Sequence, residues 1–162
     1  MFSYHIKDDY FVRAAQYLGT TQTNLMSNKE NGGYRPHFLC FPDRQHSNIF
    51  WAVPQSSRCQ KFRALMNTKI RKYGRCDTIV IGRFGGRDNA FLIQNMFPVS
   101  RYDLDHIHTI GGNPVVIHPS LEAEIIRKAK RTLARHKQDK RIIFPNIDAL
   151  YQMVLNSLQS SN

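Results

Sequence analysis

Three cysteines, Cys40, Cys59 and Cys76, are all that the 162 residues contain. An odd number at wide spacing excludes a closed disulfide framework and a zinc ligand set, and fits buried thiols in a reducing compartment. Long apolar runs are missing as well: stretches such as Ile79-Val80-Ile81 fall far short of the roughly 20 residues that cross a bilayer, so no membrane contact is expected. The first residues, Met1 to Asp8, have neither the apolar segment nor the small-residue cleavage site of a secretory leader, and the expected location is cytoplasmic. Glycine and proline number 9 and 7, too few for a collagen or a low-complexity chain. The glycines at 82, 85 and 86 match neither the dinucleotide fingerprint nor a phosphate loop, so they read as a turn. Ser56 and Ser57 lack the flanking glycines of a hydrolase nucleophile elbow. Acidic residues are the most telling shortage: 12 Asp and Glu face 23 Lys and Arg, a formal charge of +11. A surplus of that size points to a polyanionic partner.

What is present is patterned as one globular domain, residues 1–162, with 41% apolar residues and no linker or repeat to divide it. Phe2 to Ile6 reads as a first strand, and Asp8 or Asp9 as the cap of a helix over Tyr10 to Leu18. Residues 19–33, rich in Thr, Asn, Ser and Gly, read as a mobile surface loop, and loops this long are often functional. Pro36–Pro42 and Asn48–Pro54 form an aromatic hairpin. Ser56 or Ser57 caps a helix whose apolar stripe is Cys59, Phe62, Leu65, Met66, Ile70 and Tyr73, ending at Gly74. Thr78–Ile81 and Ala90–Gln94 form a second hairpin, and strands near Met96–Val99 and Pro114–Ile117 complete an antiparallel sheet of about six strands. A long helix opens at Ser120 with the stripe Leu121, Ile125, Ala129 and Leu133, and Ile147–Leu158 forms the last helix. The fold class is α+β.

Between Arg127 and Arg141 stand eight basic residues against one acid. Solvated helix faces mix both signs, so a one-signed face carrying Lys128, Lys130, Arg131 and Arg135 reads as a footprint for phosphates. Ser56-Ser57-Arg58 offers two hydroxyls, free N–H groups at a helix start and a guanidinium, which suits an anion; capping by one serine accounts for the pair equally well. Tyr34-Arg35-Pro36-His37 supplies a stacking ring, a cation and a titratable imidazole. Asp103, Asp105, His106, His108 and His118 carry metal-ligand chemistry at the spacing of no defined site, and capping explains the carboxylates; no metal or cofactor is expected.

Five segments taken in order, Tyr34–Phe41, Phe50–Arg58, Lys69–Thr78, Ala90–Val99 and Arg127–Ala134, resemble the endoribonuclease toxins of type III toxin–antitoxin systems, the ToxN/AbiQ group with its TenpN and CptN branches. The resemblance runs from about residue 2 to residue 145, and Pro54-Gln55-Ser56-Ser57 and Gln94-Asn95-Met96-Phe97-Pro98-Val99 are its most specific parts. It implies a strongly curved antiparallel sheet, Kid/MazF-like and partly barrel-like, with packed helices. It also implies metal-independent cleavage of single-stranded RNA to a 2′,3′-cyclic phosphate, with cellular or phage mRNA as substrate and a part in phage defence. A small repeat RNA antitoxin would inhibit the toxin within an RNA-bridged hetero-oligomer. In the family a Ser/Thr-Ser pair followed closely by a lysine forms the catalytic core. The pair lands on Ser56 and Ser57, with Arg58 next and Lys61 one helical turn on, so either cation could face the scissile phosphate. Arg35 matches an upstream basic residue and Tyr10 an N-terminal aromatic; Tyr34, His37, Lys128, Lys130, Arg131 and Arg135 are the remaining candidates for contact with RNA. The general base stays open between a lysine of lowered pKa and His37, since an arginine does not deprotonate. Charge and aromatics without the resemblance suit a second class, a non-catalytic RNA- or DNA-binding module.

Overall fold

In the computed structural model, which describes residues 1–19 and 24–161, the elements run β1 (Ser3–Ile6), α1 (Asp8–Leu18), β2 (Lys29–Glu30), β3 (Gly33–Tyr34), β4 (His37–Pro42), β5 (Ile49–Ser56), α2 (Cys59–Tyr73), β6 (Ile79–Phe84), β7 (Arg87–Leu92), β8 (Phe97–Ser100), β9 (Leu104–Ile107), β10 (Thr109–Ile110), β11 (Asn113–Pro114), α3 (Pro119–His136) and α4 (Ile147–Ser160). Of the loop expected over residues 19–33, Thr20, Thr21, Gln22 and Thr23 lie outside the described residues. The class is α+β, four helices around a mostly antiparallel sheet.

Seven strands form the main sheet in the order β6-β7-β5-β4-β1-β9, with β8 also joined to β5. β5 is its axis. The first half pairs with β8, Ala52 opposite Phe97, and the end pairs with β7, Ser56 opposite Ala90. The 3₁₀ turn Ile93–Asn95 interrupts what would otherwise be one partner strand, and an inserted turn of this kind twists and bends a sheet. The outer strands β6 and β9 do not pair, so the described strands close no barrel. Their ends nevertheless approach: Phe84 of β6 stacks on His108, just beyond β9, at 5.6 Å.

Both faces of the sheet are covered, and β4 shows how. Phe38 and Cys40 join a core with Ile125 and Ala129 of α3, while Leu39 packs against the cluster holding Tyr10 and Ala14 of α1 and Leu150, Met153 and Val154 of α4. Alternation by two along a strand produces this division. Cys40 and Cys76 are free, buried thiols and Cys59 is free and half-buried.

Several boundaries differ from expectation for physical reasons. The cap of α1 is Lys7, with Asp8 and Asp9 in the first turn, where the helix dipole favours them. His118 caps α3 by accepting the Ser120 N–H, and Pro119 takes the first helical position. The expected strand at 114–117 is the small β10–β11 hairpin plus an isolated bridge from Phe2 to Val116. β9 takes its place in the sheet. On α2 only Phe62 of the apolar stripe is buried; Leu65 and Ile70 are half exposed and Tyr73 more so.

Candidate active site

β5 ends at Ser56 and α2 begins at Cys59, so Ser56 and Ser57 occupy a strand-to-helix junction. The N-cap of α2 is Arg58, and no side chain caps the helix there, which departs from the expected serine cap. Instead the Ser56 hydroxyl donates to Glu30 Oε1 at 2.7 Å and accepts the Arg58 N–H at 3.2 Å. The Ser57 N–H lies 3.3 Å from both Glu30 oxygens, and the Ser57 hydroxyl accepts from Asn31 Nδ2 at 2.9 Å. Arg35 Nη1 stands 3.5 Å from Glu30 Oε2 and donates to the Gln55 carbonyl at 2.7 Å; its Nε donates to the Ser27 carbonyl at 2.8 Å. A carboxylate is therefore seated among a hydroxyl, a helix-start N–H and a guanidinium, the donor set that binds anions. Burial pushes the Arg35 pKa down, Glu30 pulls it back and the charge of the exposed Arg58 lowers it, so a buried guanidinium and a carboxylate meet here with a second guanidinium nearby at the surface.

Glu30 and Asn31 reach the junction because β2 and β3 form a hairpin that turns at Asn31 (φ +52°) and Gly32 (φ +79°). Two successive positive φ values make the tight turn that Asn-Gly favours. The hairpin is tied down: Asn28 Nδ2 donates to the Ile6 carbonyl and to Asp8 Oδ1, each at 2.9 Å, and the Tyr34 hydroxyl donates to Asp8 Oδ2 at 3.2 Å. Where the composition suggested a mobile loop, residues 28–34 are an anchored lid over the serines. Sequence reasoning missed Glu30 and Asn31; the Asn31-Gly32 dipeptide was the signal available.

The structure thus brings Arg35, Ser56, Ser57 and Arg58 together. Lys61 is exposed one turn along α2, its ammonium over the Phe62 ring at 5.4 Å. Tyr34 is exposed on the adjoining surface, edge-on to His5 at 6.2 Å. Tyr10 and His37 are wholly buried. The Tyr10 hydroxyl donates to the Pro98 carbonyl at 2.7 Å, and the His37 ring packs on Phe97 and Phe11. Neither ring has surface on which to stack a base. Burial first, and then the Arg35 charge, push the His37 pKa down to about 3, leaving it neutral.

Three further histidines, His5, His106 and His108, gather together, with His5 beside Tyr34. His5 Nε2 meets His108 Nδ1 at 3.0 Å and His106 stacks on His5 at 4.4 Å. Burial, helped by these two neighbours, pushes the His5 pKa to about 4. Asp103 is taken by Ser100 and Arg13, and His118 by its helix cap. Among the described residues no group of three such side chains could hold a metal ion.

On α3 the one-signed face is partly occupied. Lys128 pairs with Glu124 at 3.0 Å, Lys130 lies over the Phe41 ring at 5.3 Å and Arg131 pairs at 3.2 Å with the buried Asp77. Arg135 lines a groove of about 910 Å³ with Lys69, Tyr73, Arg75, Arg141 and Phe144, and with Asp77 and Asp139, which pair with Arg75 and Arg141. Tyr73 and Phe144 are at least half exposed. Cations interleaved with open rings are how single-stranded nucleic acid is held. This groove lies at the C-terminal end of α2 and the serine junction at its N-terminal end, about 22 Å apart at 1.5 Å per residue.

No family model and no curated protein matches the chain. Over nearly its whole length, however, the fold is that of a solved endoribonuclease from a type III toxin–antitoxin system. That protein is AbiQ, a lactococcal anti-phage endoribonuclease: the TM-score is 0.70 at 13% identity, covering 99% of this chain and 97% of the other. At that identity the likeness is one of architecture, and it agrees with the resemblance read from the five segments.

Proposed function

We propose that the chain is the toxin of a type III toxin–antitoxin system, an endoribonuclease that cuts single-stranded RNA without a metal. The ribose 2′-hydroxyl attacks the adjacent phosphate and leaves a 2′,3′-cyclic phosphate. The observation that carries this reading is the convergence of Ser56, Ser57, Arg35 and Arg58 in one anion-binding junction, on a fold similar to AbiQ's. The pentacoordinate phosphorane gains negative charge, so donors aimed at its oxygens accelerate the step. Ser57 supplies an N–H and a hydroxyl, and the exposed Arg58 and the buried Arg35 supply positive charge; Lys61 adds to the field. Tyr34 stacks a base at the margin of the site. Tyr10 and His37 act from behind, as buried supports of α1 and β4.

The groove beyond α2, with Arg135 in it and Arg131 paired to its Asp77, takes the backbone of the antitoxin or the substrate, and Lys128 and, on another side of α3, Lys130 beside Met1 and Arg127 extend the contact. A small repeat RNA antitoxin bridges copies into an inhibited hetero-oligomer, cellular or phage mRNA is the substrate, and the system acts in the cytoplasm in phage defence. The contact of Phe84 with His108 supports a strongly curved, partly barrel-like, Kid/MazF-like sheet. The test is incubation of the purified protein with end-labelled RNA in EDTA. Discrete fragments with cyclic phosphate ends are expected; intact RNA with retained affinity would favour the non-catalytic RNA- or DNA-binding module.

A further inference from the structure

We propose that Glu30 is the general base of this site, the group that takes the proton from the ribose 2′-hydroxyl; the inference rests on the endoribonuclease reading above. The reaction needs a proton acceptor within hydrogen-bond reach of the attacked phosphate and its neighbouring ribose. Arg35 and Arg58 stay protonated and cannot serve. His37 is sealed in the core, and Lys61 lies outward over Phe62. Glu30 is the carboxylate on which the donors of the junction converge.

Its bonds are unequal. The Ser56 hydroxyl holds Oε1 at 2.7 Å, whereas the Ser57 N–H at 3.3 Å and the Arg35 guanidinium at 3.5 Å are long. Contacts beyond about 3.2 Å are weak for an N–H donor. An arriving phosphoryl oxygen can therefore take the Ser57 N–H and the guanidinia while the carboxylate stays anchored on Ser56, beside the phosphate. The side chain is only 11% exposed and stands on a tight turn tied to Ile6 and Asp8 through Asn28, so it is held in place before substrate arrives.

The charges balance throughout. Before reaction the phosphodiester and Glu30 carry one negative charge each, facing Arg35 and Arg58. The proton moves from the 2′-hydroxyl to Glu30 as the 2′-oxygen bonds to phosphorus, and the phosphorane then holds two negative charges against the same two guanidinia. The P–O5′ bond breaks, its electron pair leaves with the 5′-oxygen, and that oxygen takes a proton from water. Glu30 returns its proton to solvent.

Single-turnover cleavage of a short RNA in EDTA is measured for the wild type, Glu30→Gln and Glu30→Asp, together with affinity for the same oligonucleotide carrying a 2′-deoxy sugar at the cut. Glu30→Gln should slow cleavage on the order of 10² to 10⁴-fold with affinity unchanged or tighter, and Glu30→Asp should keep a larger share of the rate. The wild-type rate should rise from acid pH with unit slope to a plateau, and the Glu30→Gln rate should be flat over that range. The charged and titratable groups around the carboxylate are Arg35, Arg58 and the Cys59 thiol, whose pKa burial raises, with Arg63, Arg87 and Asp88 beyond Cys59 and Asp8 beyond Asn28, so the Glu30→Gln profile is the control that separates Glu30 from the other carboxylates. A Glu30→Gln protein that binds more tightly and cuts as fast as wild type would make the carboxylate a competitor of the phosphate and overturn the proposal. So would a wild-type rate independent of acid pH, which requires no variant to fold. A wild type that leaves RNA intact would remove the endoribonuclease reading itself, and this inference with it.

Discussion

Replacing Arg35 by Met tests whether charge holds the junction together. The Arg35 side chain is 7% exposed and faces a Glu30 side chain that is 11% exposed, so the pair is buried and differs from the surface ion pairs that contribute about 0–1 kcal/mol. Removing one partner of a buried pair costs about 3–5 kcal/mol, and the lower end applies here because the 3.5 Å contact is long and the Ser56 hydroxyl still holds Glu30. The Ser27 and Gln55 carbonyls lose their donors as well, each adding about 1 kcal/mol. Methionine keeps most of the apolar stem, so little of this loss is a cavity. In a chain of this length each kcal/mol shifts melting by about 2–4 °C, and Arg35→Met should melt roughly 10 °C or more below wild type. Adding Glu30→Gln removes the stranded carboxylate, and the double variant should recover at least about 1 kcal/mol relative to the sum of the singles. Circular dichroism melts and urea midpoints of the four proteins close the cycle. A melting point within about 2 °C of wild type, or strict additivity, would refute the view that Glu30 is seated by charge.

Ser57→Ala should retain the fold, because among the described residues its hydroxyl is bonded only by Asn31 at the surface, yet lose on the order of a hundredfold or more in cleavage rate; near-normal cleavage would move the active site elsewhere. Arg135→Ala with Arg141→Ala should leave melting within about 0.5 kcal/mol and lower the slope of log affinity against log salt by roughly 0.7 per lost phosphate contact, with an unchanged slope counting against the groove. Arg131→Ala should instead cost stability, about 1–3 kcal/mol in urea denaturation, because Asp77 is buried and keeps, among the described residues, only the Arg75 ion pair at 3.3 Å. His37 titrates near 3 in the fold and near 6.5 unfolded, so the unfolded chain binds the extra proton between those values. The stability it preserves is whole above about pH 6.5 and is lost as pH falls toward 3, at up to about 1.4 kcal/mol per unit. Urea midpoints between about pH 7.5 and pH 4 should therefore fall more steeply in wild type than in His37→Phe, and equal slopes would count against this.

Elements whose periodicity coincides with burial were readable from composition and spacing. Ile125 and Ala129 of α3, Leu150 and Val154 of α4 and the β4–β5 hairpin all lie where apolar spacing places them. α2 shows the limit, since spacing identifies a face but not whether anything covers it. The helix meets the sheet through Phe62 and the half-buried Met66 against Ile79, Ala90 and Leu92, while Leu65, Ile70 and Tyr73 of its stripe stand toward solvent. β9 was hidden for the opposite reason: an edge strand with exposed Asp105 and His106 has no apolar alternation to see.

The cationic half of the site was legible because one hairpin register assembles it. His37 stands opposite Pro54, and two further places along both strands set residue 35 across from residue 56. Arginine and serine pair are thus neighbours by arithmetic once the hairpin is granted. The carboxylate half was not, because Glu30 reaches Ser56 across 26 residues and sits in a two-residue strand that cannot display a period. A surplus of positive charge also draws attention to cations, although the junction holding Arg35 and the exposed Arg58 seats one carboxylate as well. In the reaction proposed above, Glu30 accepts a proton as the phosphorane forms, so the acid that net charge obscured would keep the charge of the junction constant through that step.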